Sequence, residues 1–191
     1  MRRLAAALRK KGKRVSLWFQ DEARIGQKGR VCRKWWRRGE RPTGPCDQRF
    51  TFAYIFAAAK IGSDEAFALV LPEVNTATMQ IFLDQFSKTL AKDEIAIMYA
   101  DRAGWHGSNA LEVPENIILL AIPPNTPVVN PVERMWLYMK DRYLSLRLLD
   151  DYDAIVDAAC AAWNKLIAEA GRLTTLCGYP WTEKLLAAVK T

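Results

Sequence analysis

Residues 95–100, IAIMYA, followed at once by Asp101, constrain this chain more than any other stretch. An apolar run of this length without alternation matches a strand buried on both faces, because a strand with one wet face alternates. Such strands lie inside sheets with parallel pairs, and parallel pairs need crossover helices that cover the faces. The expectation is therefore an α/β fold. The run also ends in a carboxylate, which is costly there unless it stands in a cleft, is paired or binds metal.

The flanking pattern agrees. Residues 4–11 read as the tail of a helix, and residues 13–20 (KRVSLWFQ) alternate as a strand ending at Asp21. Gly26 and Gly29 mark a turn, residues 30–38 are a candidate strand, and residues 50–59 place Phe50, Phe52, Tyr54 and Phe56 on one face. Residues 66–71 complete an antiparallel meander. From Thr76 the period changes to about 3.6, and Met79, Phe82, Leu83, Phe86 and Leu90 mark the face of a crossover helix. A further apolar run, 117–122, precedes Pro123, Pro124 and Pro127, which hold an extended linker. A helix opens at Asn130 and Pro131 with Val132, Met135, Trp136, Met139 and Tyr143 on its buried stripe. A longer one over residues 151–168 buries Ile155, Ala159, Ala162, Trp163 and Leu166. This order predicts a mixed five-stranded sheet flanked by helices.

Charge is unevenly placed. Residues 1–50 carry sixteen Lys or Arg against four Asp or Glu, net +12, while the remainder is net −5. A basic region of this kind fits a polyanion, since phosphate neutralisation supplies most sequence-independent affinity for nucleic acid; a solubilising face is the equal alternative on charge alone. Trp35 and Trp36, set between Arg33, Lys34, Arg37 and Arg38, favour nucleic acid, because indoles stack on bases or support Arg planes. No apolar run is long enough to span a bilayer and none fits a secretory signal, so a cytoplasmic protein without a membrane partner is expected. Cys32, Cys46, Cys160 and Cys177 form no C-x-x-C pair and His106 is the only histidine, which leaves structural zinc without its usual ligand spacing.

Asp21 and Asp101 thus close buried strands, and Glu133 lies in the first turn of a helix reached by the proline linker. Three carboxylates brought together this way suit hard divalent cations, and phosphodiester chemistry commonly uses two such ions. Each acid also has an ordinary reading: a strand-terminating Asp, or a Glu completing a capping box with Asn130 and Pro131.

The segments WFQDEARIG (18–26), DRAGWH (101–106) and PPNTPVVNPVERMW (123–136) resemble, in order, the three acidic motifs of mariner-related bacterial insertion-sequence transposases of the DDE type. The resemblance continues through DDYDAIVDAACAAWN (150–164), and 31 residues separate the second and third acids. It implies an RNase H-like fold in which Asp21, Asp101 and Glu133 are catalytic and bind two Mg²⁺ or Mn²⁺ ions. It further implies DNA as partner, both transposon ends and target, and a homodimer assembled on DNA. Arg24, Lys28, Arg33, Lys34, Arg37, Arg38 and His106 are the candidate DNA contacts. The expected division is a basic helical stub (1–13), the catalytic domain (14–170) and a C-terminal helical tail (171–191), with end-recognising helices outside this sequence. Arg102 and the residues Asn125, Thr126, Val128 and Val129 depart from the family pattern. They keep open a second reading, an inactive, truncated remnant that binds DNA non-specifically.

Overall fold

The computed structural model describes residues 2–28, 35–41, 43, 47–101, 110–123 and 130–190. Its elements are α1 (Arg2–Lys10), β1 (Arg14–Gly26), β2 (Phe52–Lys60), β3 (Ala66–Leu71), α2 (Thr76–Thr89), β4 (Glu94–Ala100), β5 (Ile117–Ala121), α3 (Val132–Met139), α4 (Tyr152–Ala168), α5 (Arg172–Cys177) and α6 (Pro180–Lys190). The five strands form one sheet in the order β3-β2-β1-β4-β5. β1, β2 and β3 are the antiparallel meander, and β1, β4 and β5 pair in parallel. The mixed α/β sheet read from the sequence is therefore the one observed.

Burial on both faces explains why β4 lacks alternation. Leu17, Phe19, Ala57 and Ile97 face a core completed by α3, α4 and α5, while Trp18, Phe56, Ala96 and Met98 face α2. The α2 side is aromatic: Trp18 meets Phe86 edge-on at 4.8 Å, and Phe82 stacks on Phe86 at 6.2 Å. Asn75 starts α2 with a reciprocal capping box to Thr78, which satisfies two backbone donors at the helix start. Leu173, Leu176 and Cys177 of α5 are buried in the larger core, and Trp181 of α6 packs edge-on against Phe19 at 5.6 Å.

Two local expectations change. Asp21 does not end its strand, because β1 runs for 13 residues and carries Asp21 in its second half. The parallel pairing with β4 stops at Phe19↔Tyr99, whereas the antiparallel pairing with β2 continues to Gly26↔Phe52. β1 thus outruns β4. Gly26 is required there, since a Cβ would stand 2.5 Å from the Thr51 carbonyl oxygen. The proposed strand over 30–38 is also not found: residues 35–38 are not strand and Trp35 is fully exposed, while 30–34 lie outside the described residues. Phe50 precedes β2 and is 65% exposed.

After α3 the chain widens into a π-helical turn, Lys140–Leu144. The following loop is fastened to the β1–β2 connection. Gln27, almost fully buried, donates from Nε2 to the carbonyls of Leu149 (2.9 Å) and Asp150 (3.0 Å) and accepts from the Thr51 amide. Arg49 donates to the same two carbonyls. Among the described residues no helix is long and apolar enough to cross a membrane.

Candidate active site

The site begins with strand register. Phe19 and Tyr99 are the last parallel partners of β1 and β4, and their rings stack at 5.1 Å. Side chains return to the same face every two residues, so Asp21 and Asp101 follow those rings on one side of the sheet. Asp21 is buried, and Asp101, just past β4, is exposed.

Helix α3 approaches Asp21 from the same face. Asn130, buried, donates from Nδ2 to the Gln20 carbonyl (3.0 Å), while its Oδ1 accepts from the Val132 amide (3.2 Å). One side chain therefore starts the helix and ties it to the peptide beside Asp21. One turn on, the Trp136 indole Nε1 donates to Asp21 Oδ2 at 2.8 Å. Glu133 lies in the first turn of α3 and is exposed. Asn130 rather than Glu133 holds the helix start, so the capping role that competed for Glu133 is not what the structure assigns it.

The electrostatics couple Asp21 to the other two acids. Burial pushes the Asp21 carboxyl up to about 7, and the negative charge of Glu133 pushes the same way, followed by Glu22 and Asp101; the Trp136 hydrogen bond opposes them. Among the described residues Asp21 is thus a buried carboxylate with the Trp136 indole as its side-chain donor and with Glu133, Glu22 and Asp101 as negative neighbours. A hard divalent cation relieves such an arrangement, and the donor set is all carboxylate oxygen, as Mg²⁺ or Mn²⁺ requires. The residues fit such ions in kind. Among the described residues, however, no three His, Cys, Asp or Glu groups are drawn close enough to form an assembled ligand set.

Residues 16–156 match the family model of the DDE superfamily endonucleases. The chain belongs to that family. As a DDE protein it falls in the polynucleotidyl-transferase class of enzymes. It is 38% identical over 133 residues to the uncharacterized protein y4pE/y4sA of Sinorhizobium fredii (strain NBRC 101917 / NGR234), covering 70% of this chain and 98% of that one. Among solved structures it is similar to the Mos1 mariner paired-end complex with Mn (TM-score 0.65, 17% identity, 99% of this chain and 59% of that one). It is also similar to the Mos1 paired-end complex with the left transposon end (TM-score 0.63, 17% identity, 98% and 58%). Another Mos1 paired-end complex, with Mg, has a TM-score of 0.60 at 15% identity over 99% of this chain and 59% of that one. The chain spans about three fifths of the length of those transposase chains, and at such identities the likeness establishes the shared RNase H-like fold.

Within this DDE domain the candidate DNA contacts are distributed unevenly. Arg24 is exposed with its guanidinium over the Phe52 ring (4.7 Å), and Lys28 is exposed with its ammonium over Phe50 (4.9 Å). Arg37 and Arg38 are exposed in the non-strand segment. Arg33, Lys34 and His106 lie outside the described residues, as do Arg102, Asn125, Thr126, Val128 and Val129. Two residues that touch the site went unassigned to chemistry in the sequence. Trp136 reads as core from its helical spacing, yet a buried indole N–H needs an acceptor, and that need was the available signal. Asn130 reads as a cap, and its second bond, to Gln20, depends on tertiary placement.

Proposed function

We propose that this chain is the catalytic domain of an insertion-sequence transposase, and that Asp21, Asp101 and Glu133 together hold two Mg²⁺ or Mn²⁺ ions. The observation that carries the reading is Asp21: buried, oriented by Trp136 and pushed up to about 7 by burial and by Glu133. The mariner complexes with Mn and with Mg support the choice of ions. When bound, the ions supply activation of the attacking oxygen and stabilisation of the leaving oxygen at a phosphodiester. The chain's own contribution is placement. Trp136 holds Oδ2 of Asp21, Asn130 fastens the start of α3 to β1, and Glu133 then projects from a fixed first turn. The reaction is hydrolysis at a transposon end followed by attack of the freed 3′-hydroxyl on target DNA, with two copies of the chain assembled on the DNA.

A nicking assay on supercoiled plasmid tests this. Cleavage is expected with Mg²⁺ or Mn²⁺ and none in EDTA, and Asp21→Asn, Asp101→Asn and Glu133→Gln are each expected to abolish it while circular dichroism shows the fold retained. Persistent cleavage by either aspartate variant would overturn the triad. A wild-type chain that binds DNA but never nicks it with either metal would instead be the inactive remnant.

A further inference from the structure

Where β1 has outrun β4, the structure has a groove of about 560 Å³ between the β1–β2 end and the π-helical turn with its following loop. One wall carries Arg24 and Lys28, and the other carries Lys140 and Arg147. Asp141 is the one carboxylate among the lining residues. Four cations facing one anion make this a positive cleft, and its second wall comes from residues 51–191, whose net charge is −5.

The cleft is built rather than incidental. Phe52 and Phe50 lie beneath Arg24 and Lys28, so aromatic faces support the two cations. The opposite wall is pinned at Leu149 and Asp150 by Gln27 and Arg49. Leu146, exposed at the head of that wall, has φ 61. A bulky L-residue is rare in that region, and such strain persists only where the surroundings impose it, typically at functional segments. The turn places Arg147 along the groove while Leu146 remains outside its lining.

We infer that this groove is a second contact site for DNA, holding phosphates of the duplex backbone between Arg24 and Lys28 on one side and Lys140 and Arg147 on the other. Arg24 follows Asp21 by three residues along β1, roughly 10 Å, and alternation turns its side chain to the opposite face of the strand from Asp21. The groove holds the backbone beside the end of β1, and it reads no sequence, since phosphate contacts position without specifying. The inference rests on the reading of this chain as a DNA-processing domain.

The test measures binding of a fluorescein-labelled duplex of scrambled sequence, about two helical turns long, by anisotropy in EDTA, where no cleavage occurs. Affinity is followed across salt concentrations. Each phosphate contact contributes roughly 0.9 to the slope of log affinity against log salt, so Lys140→Ala/Arg147→Ala is expected to flatten it by roughly 2. Lys88→Ala/Lys92→Ala removes the same charge from exposed positions at the far end of the sheet and is expected to leave the slope unchanged. Arg147→Ala alone, at an exposed position, is expected to lose about half the effect, and it serves if the double variant does not fold. Equal slopes for the two double variants, or an unaltered slope for Arg147→Ala, overturn the groove. If the slope flattens as expected while the triad variants still nick DNA, the groove stands and the assigned active site falls. If the triad holds and the slope does not move, the groove alone is wrong.

Discussion

Two carboxylates of this protein meet opposite surroundings. Glu169, at the end of α4, accepts from the hydroxyls of Tyr138 (2.8 Å) and Tyr143 and from Arg172 Nε (2.6 Å), with Arg142 nearby at 3.7 Å. Those donors hold it at about 2, well below the usual carboxylate range. Asp21 has the Trp136 indole as donor, burial around it and Glu133, Glu22 and Asp101 as negative neighbours, which bring it to about 7. The first carboxylate is already satisfied by the fold, and it fastens the π-helical turn to the α4–α5 corner. Among the described residues the second is left short of positive charge, and such a shortage is what a metal-binding position needs before its ion arrives. The number of carboxylates in a region therefore says less about function than the number of donors provided for each.

The largest expected effect follows from sign. The folded state keeps a proton on Asp21 that the unfolded chain surrenders near pH 4, so the associated stability is lost as pH rises through about 7, above which the full cost of the buried charge remains. Asp21→Asn removes that cost and can still accept from Trp136. At pH 8 and without divalent metal it should stabilise the protein by up to about 4 kcal/mol, roughly 10 °C in Tm, with the advantage shrinking toward pH 5. Saturating Mg²⁺ should narrow the gap, because binding to the folded wild type stabilises it. An Asn variant no more stable than wild type at pH 8 would mean that Asp21 is not deprived of partners, and the contrast with Glu169 would fail.

Trp136→Phe sharpens the same contrast by removing the donor. Asp21 should then titrate higher still, and Mn²⁺ affinity measured by isothermal titration calorimetry at pH 7 should fall about tenfold, the lower end of what lost outer contacts to a ligand cost. Unchanged affinity would reduce the indole to packing.

Much of this was legible in advance, for reasons specific to each element. β4 and α2 were readable because an unbroken apolar run and a 3.6-residue stripe are direct consequences of burial. The three acids could be proposed as a set because each sits in a recognisable local segment, in order. The length of β1 was not: Ala23 and Ile25 continue its buried face past Asp21, but they pair with β2 alone, and where one neighbouring strand stops is a tertiary fact. Residues 35–38 misled because bulky aromatics carry strand propensity whether or not a partner strand exists. The second wall of the groove was hidden by charge counting, since Lys140 and Arg147 sit in the acidic part of the chain and become neighbours of Arg24 and Lys28 only through the loop fastened by Gln27 and Arg49.

Glu169→Gln probes the other side of the comparison and carries the smallest expected effect, because its carboxylate is partly open to solvent, with a quarter of the side chain exposed, and ion pairs of that kind contribute little. Its sign is nevertheless opposite to that of Asp21. A carboxylate held at about 2 in the folded state adds stability above the pH at which the unfolded chain ionises, and that contribution drains away as pH falls toward 2. Wild type should therefore melt slightly above Glu169→Gln at pH 6, by a degree or two, and the difference should shrink by pH 3, whereas the Asp21→Asn difference favours the variant and grows toward alkaline pH. Glutamine retains an acceptor for Tyr138 and Tyr143, so what the substitution removes is chiefly the charge facing Arg172. Melting curves of the two variants across the same pH series decide the matter. If both differences share a sign, or neither moves with pH, the donor count around a carboxylate does not separate the fastening residue from the proposed metal ligand in this fold.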